Sequence, residues 1–219
     1  MKCAVIIYHK NALTMYNPDW IKQCKESLKN QSFQDFDVFE LDYGERNTRL
    51  FGDIKGTYNF FDIAFPNHIH AMNFLISICF KHGYDVVFNT NVDDWYHFQR
   101  FEKQLEAIKE GYQLVSSNFY YADTTEEKEI VVTKEMNMVA FGDIGEQLRN
   151  DHNVIAHPCV AMHSSFWDKE LRYNDLIGYE DLDLWQRAHY AGKKFHILEE
   201  YLLYYRIHDK QITKRHKGK

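Results

Sequence analysis

The sequence predicts an α/β protein with a mostly parallel central sheet flanked by helices and a mixed C-terminal half. Short, nearly unbroken apolar runs such as residues 2–8 (KCAVIIY) and 85–90 (DVVFNT) have the pattern of strands buried on both faces. Amphipathic segments of helical period separate such runs, so that strand and helix alternate four times by residue 117. Beyond residue 118 the alternation ends and shorter strand-like pieces follow.

Taken in order, residues 2–8 form the first strand. Asn17, Pro18 and Asp19 supply an N-cap, a first-turn proline and a first-turn acid. Trp20, Ile21, Cys24 and Leu28 recur at helical spacing, which gives a helix over about residues 18–30. Residues 37–42 (DVFELD) are the second strand, and 44–66 are a long connection with a short strand near 58–61. Pro66 and Asn67 open a second helix that Gly83 stops. The strand at 85–90 is followed by a helix over 97–110, with Phe98, Phe101, Leu105 and Ile108 facing inward. Residues 112–117 are again strand-like. The later half is read as antiparallel strands at 129–133 and 138–141, a short helix over 143–149 and a strand at 158–163. A helix over 180–191 and a last strand at 194–198 complete it. No repeat or linker divides the chain, so one domain is expected over 1–219: a nucleotide-fold half (1–117), a mixed half (118–213) and a basic tail (214–219).

Composition narrows the function classes. A chain of 219 residues that is 45% hydrophobic and 26% charged can bury a sizeable core. Its net charge of −6 opposes a nucleic-acid surface, which needs a concentrated basic face. The four cysteines, Cys3, Cys24, Cys79 and Cys159, have neither C-x-x-C spacing nor disulfide-like clustering. They read as buried hydrophobes in a reducing compartment. With no signal-peptide pattern and no apolar run of the roughly 20 residues needed to cross a bilayer, a soluble cytoplasmic protein without a transmembrane segment is expected.

In parallel sheets, ligands bind beyond the carboxyl ends of the strands. Tyr8 and His9 end the first strand there, and Asp42 ends the second. Asp42 suits a hydrogen bond from a ribose or base, and equally a turn before Tyr43-Gly44. Asn91-Val92-Asp93-Asp94 follows the 85–90 strand and places two carboxylates at the crevice, where a hard divalent cation such as Mn²⁺ or Mg²⁺ offsets their charge. Asp94 fits that metal or the N-cap of the next helix. Asp93 is assigned to the metal, because one cap needs one acid. Glu180, Asp181 and Asp183 stand within four residues, more acid than helix capping requires, and one facing the crevice suits a general base. Arg206 and His208 suit a diphosphate or the rest of a metal shell.

In their order and spacing these segments resemble the family 2 glycosyltransferases, which have the Rossmann-like GT-A fold. Ser27-Leu28-Lys29-Asn30-Gln31-Ser32-Phe33 is similar to that family's S-L-x-x-Q-T-Y stretch, and Asp42 to the acid that follows it. Ala71-Met72-Asn73 resembles an A-R-N helix start, and Asn91-Val92-Asp93-Asp94 a D-x-D-D metal motif. Glu180-Asp181 with Leu184 and Arg187 resembles E-D-x-x-L-x-x-R, and Tyr205-Arg206-Ile207-His208 with Gln211 resembles Y-R-x-H-x-x-Q. The resemblance runs from about residue 2 to 213. It departs at Tyr8-His9-Lys10, at 44–66, at Met72 in place of Arg, and at Asn91 in place of the first Asp.

The resemblance implies metal-dependent transfer of a sugar, with inversion, from a nucleotide-diphospho-sugar to the hydroxyl of a glycan, lipid-linked or protein acceptor. UDP is the common donor nucleotide among similar enzymes. Tyr8, His9, Asp42, Asn73, Asn91 and Arg206 would contact the donor. Asp93, with Asp94 and His208, would hold Mn²⁺ or Mg²⁺. Asp181 would be the general base and Glu180 would position it or bind the acceptor. Phe119, Tyr120, Tyr121, Trp167 and Trp185 are candidate sugar-stacking platforms, with core packing favoured for Trp185. The alternatives are a catalytically degenerate sugar- or partner-binding protein, for which Asn91 speaks, and a nucleotidyltransferase. The latter is disfavoured because residues 9–18 contain no glycine to cradle a triphosphate. A glycosidase would have no use for a nucleotide-type sheet.

Overall fold

The computed structural model describes residues 1–44, 47–123, 131–209 and 211. Four parallel strands make the first half of the sheet: β1 (Cys3–His9), β2 (Phe36–Asp42), β3 (Tyr58–Asp62) and β4 (Val86–Thr90). β1 is paired on both sides and almost wholly buried, which is why its sequence shows no polar alternation. After a short helical turn, α1 (Ala12–Met15), comes α2 (Pro18–Lys29). It starts where expected: the Asn17 side chain accepts from the Asp19 N–H at 2.9 Å, and Ile21, Cys24 and Leu28 face the core. α3 (His68–Lys81) is capped in the same way by Asn67 and ends at Gly83, whose φ of +75° favours glycine.

The second half departs further from expectation. β4 leads to a two-residue strand, β5 (Trp95–Tyr96), and only then to α4 (Arg100–Lys109). The expected helix start at 97 is therefore three residues early, and Phe98, expected inside, is 52% exposed. β6 (Leu114–Asp123) runs longer than the 112–117 reading. β7 (Val131–Met136) pairs antiparallel with it, but the partner expected at 138–141 is a 3₁₀ turn, Val139–Phe141. Residues 129 and 130 of the expected first strand, and the basic tail at 214–219, lie outside the described residues. α5 (Ile144–Arg149) is capped by Asp143. Of the strand expected at 158–163, only β8 (Ala161–His163) is extended; His157–Cys159 is a 3₁₀ turn. α6 (Glu180–Tyr190) precedes β9 (Phe195–Ile207), which is far longer than the expected 194–198.

Among the described residues the nine strands form one sheet in the order β3-β2-β1-β4-β8-β6-β9-β5, with β7 outside β6. β8 is antiparallel to both β4 and β6, whereas β9 is parallel to β6. The mostly parallel first half and mixed second half are thus as expected. The length of β9 results from its partner, since it pairs with β6 from Leu114↔Phe195 to Asp123↔Ile207 across two register shifts. None of the described helices is long and apolar enough to cross a membrane.

Candidate functional site

A cleft of about 630 Å³ opens beyond the carboxyl ends of β1 and β4, where open parallel sheets place ligands. One wall holds Tyr8, His9 and Lys10, and the floor holds Asn91–Asp94. The opposite wall is the start of α6, with Glu180 and Asp181, together with His68, Asn153 and His157. Of the eleven predicted site residues, this lining includes Tyr8, His9, Asn91, Asp93, Asp94, Glu180 and Asp181.

Asn91 links the end of β4 to the rest of the floor. It accepts from the Tyr8 hydroxyl at 3.3 Å, and its backbone N–H donates to the Tyr96 hydroxyl at 2.9 Å. Burial raises the Tyr8 phenol well above the usual range, so it stays a protonated donor. Asp93 Oδ2 lies 2.9 Å from His208 Nε2, with both side chains nearly buried. Trp20 packs tilted against the His208 ring at 4.9 Å. Asp93 lines the cleft, whereas His208, 4% exposed, stands behind it and is not part of the lining. A carboxylate backed by an imidazole suits a divalent ion whose remaining ligands come from phosphates and water. Among the described residues, no group of three or more His, Cys, Asp or Glu converges into a closed shell. A site built from these residues therefore needs ligands from a bound molecule.

Asp94 sits behind this pair. One oxygen accepts the Arg206 backbone N–H at 2.9 Å and the other faces the Asn91 amide at 3.4 Å. Burial, then the charge of Asp93, pushes its carboxyl well above the usual range. Its expected alternative role as an N-cap fails, because α4 begins only at Arg100.

Glu180 and Asp181 differ in environment. Glu180 bonds His68 Nε2 at 2.8 Å and accepts the Gly178 N–H at 2.5 Å. Burial alone would raise its pKa, but the His68 bond, its own backbone N–H and the His68 and His157 charges outweigh that and hold it at about 2. Asp181 is likewise partly buried. It takes an amide N–H from Asn153 at 2.7 Å and the Leu182 N–H at 2.8 Å.

Three predicted donor contacts are committed to the fold. The fully buried Asp42 carboxylate accepts the Gly44 and Thr48 N–H groups at 2.9 Å each, so its turn-forming role is realised. Asn73 clamps the backbone of Tyr173 with both ends of its amide, at 2.8 and 3.1 Å, and does not line the cleft. Arg206 is 1% exposed, stacks between Trp20 and Trp95, and donates to the Asp93 carbonyl at 2.7 Å. It shapes the Asp93 loop from behind and does not face the cleft. His9 Nε2 bonds Glu40 at 2.8 Å, and its Nδ1, 3.9 Å from Asp42, has no hydrogen-bond partner.

Among the stacking candidates, Trp185 is fully buried, as expected, and Trp167 is half-buried and donates to Ser77. Tyr120 stacks with Tyr201 and Tyr204. Sequence reasoning missed His68, Asn153 and His157. His68 opens α3 beside the cap and was legible as a polar residue at a helix start. Asn153 and His157 lie in an aperiodic stretch that carries no signal of its own.

A family model described as "Glycosyl transferase family 2" matches residues 4–172. The helix bearing Glu180 and Asp181, and the strand end bearing His208, lie beyond that match. No curated protein sequence matches the chain. The fold is similar to S. aureus TarS 1–349 in complex with UDP, with a TM-score of 0.67 and 14% identity over 94% of this chain and 61% of that one. For TarS 1–349 in complex with UDP-GlcNAc the values are 0.68, 12%, 97% and 60%. The mannosyltransferase PcManGT from Pyrobaculum calidifontis, in complex with GDP-Man and Mn²⁺, gives 0.59, 10%, 93% and 56%. The chain thus spans about 60% of the TarS 1–349 structures it resembles. At such identities the likeness is one of fold.

Proposed function

The chain belongs to glycosyl transferase family 2 and has its GT-A fold, and from that premise we propose that it transfers a sugar from a UDP-sugar to an acceptor hydroxyl in a single inverting displacement. One observation carries the reading: a single cleft at the carboxyl ends of β1 and β4 is lined by both Asp93, which His208 backs through a hydrogen bond, and Asp181.

The nucleotide lies along Tyr8 and the backbone of His9 at the end of β1, because the His9 side chain is enclosed against Glu40. Asp93, with His208 behind it, would hold Mn²⁺ or Mg²⁺, and such an ion would supply neutralisation of charge on the leaving nucleoside diphosphate. Asp94, 1% exposed, supports that site from behind: it fixes the Arg206 backbone and hence the strand end that carries His208. On the opposite wall Asp181 accepts the proton of the acceptor hydroxyl as that oxygen attacks the anomeric carbon. The bond from that carbon to the diphosphate oxygen breaks, and the diphosphate departs with the bonding pair. Asn153 orients Asp181 through its 2.7 Å hydrogen bond. Glu180, held ionised by His68, fixes the start of α6 and so the position of its neighbour.

The test is donor hydrolysis. A panel of nucleotide-sugars is incubated with Mn²⁺ or Mg²⁺ and release of nucleoside diphosphate is followed, beside Asp93→Ala. Metal-dependent release from one donor, lost in the variant, is expected. Silence across the panel, with no metal-dependent nucleotide affinity, would favour the degenerate binding protein, the reading that Asn91 in place of a first acid keeps open.

A further inference from the structure

The cleft continues past its acids. Asn153, Pro158, Tyr205 and Gln211 face both it and a second chamber of about 750 Å³. The pairing of β6 with β9 sets Phe119 opposite Leu203 and Tyr121 opposite Tyr205. Because strand side chains alternate, Phe119 and Tyr121 share one face with Leu203, Tyr205 and Ile207, and all five line the chamber. Met136 from β7 and the half-exposed Phe141 add to its apolar wall. Its polar side chains include Asp151, His152 and Asn153 on one edge, and no lysine or arginine lines it among the described residues.

We infer that this chamber binds the apolar body of the acceptor, a neutral hydroxyl compound with an aromatic or alkyl aglycone, and thereby sets acceptor specificity. The inference rests on the transferase reading above. Continuity is the first argument: Asn153, a wall of the chamber, is hydrogen-bonded to Asp181, so a molecule seated there meets the base at its polar end. The lining is the second, since an aromatic or alkyl group gains by leaving water, whereas a bare sugar would set hydroxyls against Met136 and Phe141 without partners. Charge is the third: Asp151 and Asp181 stand at the polar edge, and among the described residues no lysine or arginine lines the chamber. A phosphate or carboxylate acceptor would face two acids there without a lysine or arginine partner. The volume falls within the roughly 300–1,000 Å³ of small-molecule sites.

The experiment titrates phenyl, octyl and methyl β-D-glucosides, the octyl compound below its micellar concentration, into the full chain carrying ¹³C-methyl methionine. Phenyl and octyl glucosides are expected to shift the Met136 and Met138 methyl resonances and to bind roughly tenfold or more tighter than the methyl glucoside. Phe141→Ala and Met136→Glu, each with an unaltered thermal unfolding midpoint as folding control, should lose most of that difference. Equal affinity for all three glucosides, or no methionine shifts, overturns the proposal. Binding by the wild-type chain without nucleoside diphosphate release from any donor would leave the chamber assignment standing and sink the transferase reading. Donor turnover with no preference among the glucosides would do the reverse.

Discussion

At the scale of single residues, two adjacent carboxylates have different parts to play. Glu180 is tied to His68 by a 2.8 Å hydrogen bond, whereas Asp181 lines the cleft and accepts from the Asn153 amide and the Leu182 N–H. In the proposed reaction the proton acceptor is therefore Asp181. Asp181→Asn should lower kcat by about 10²–10⁴, the range typical of a lost general base, while nucleotide affinity stays close to wild type. Single-turnover kinetics beside calorimetric nucleotide titration measures both, and a loss of nucleotide affinity would mark Asp181 as structural. Asp42, Asn73 and Arg206 carry a different lesson. Their side-chain types and positions match donor contacts in sequence, yet each has its polar atoms engaged by backbone or ring partners inside the fold.

At the scale of elements, the His68–Glu180 pair joins the first turn of α3 to the first turn of α6. Glu180 has a pKa of about 2 against an ordinary 4.5, so its contribution to stability is complete above about pH 4.5 and is lost as pH falls toward 2. Glu180→Gln should be less stable than wild type at neutral pH and nearly level with it at pH 2. Urea unfolding at a series of pH values measures this, and an equal gap at every pH would remove the His68–Glu180 bond from the account. A second joint is buried. Arg100, fully enclosed, donates to the Asn89 carbonyl at 2.6 Å, and Gln104 one turn later donates to the carbonyls of Val115 and Cys159. These two side chains on α4 bond backbone of β4, β6 and the turn before β8. The i, i+4 spacing of Arg100 and Gln104 beside the inward Phe101, Leu105 and Ile108 was visible in the sequence, but their carbonyl partners were not.

At the scale of the whole molecule, the cleft gathers Asp93, Asp94, Glu180 and Asp181 opposite Lys10. Such an excess of acid favours joint binding of a cation and a nucleotide over a nucleotide alone. UDP and Mn²⁺ together should raise the unfolding midpoint by more than the sum of their separate effects, by roughly 5–10 °C near 100 times Kd, and Asp93→Ala should abolish the excess. Differential scanning fluorimetry measures it, and strictly additive shifts would argue against a site shared by metal and nucleotide.

The sequence by itself determined the layer architecture and its first half. Burial on both faces leaves unbroken apolar runs in β1 and β4, and caps such as Asn17 and Asn67 mark helix starts through purely local hydrogen bonds. It also marked the acids at the end of β4 and the start of α6, because charge at an element end stands out against apolar periodicity. Only the tertiary structure decided which of those residues share a cleft. Strand order, the long β6–β9 pairing and the turn from residue 153 to 158 set that, through contacts between residues far apart in the chain. No local pattern encodes such contacts. A hydrogen bond to a distant carbonyl and an open face toward a ligand can be offered by the same side chain, and the fold alone selects between them.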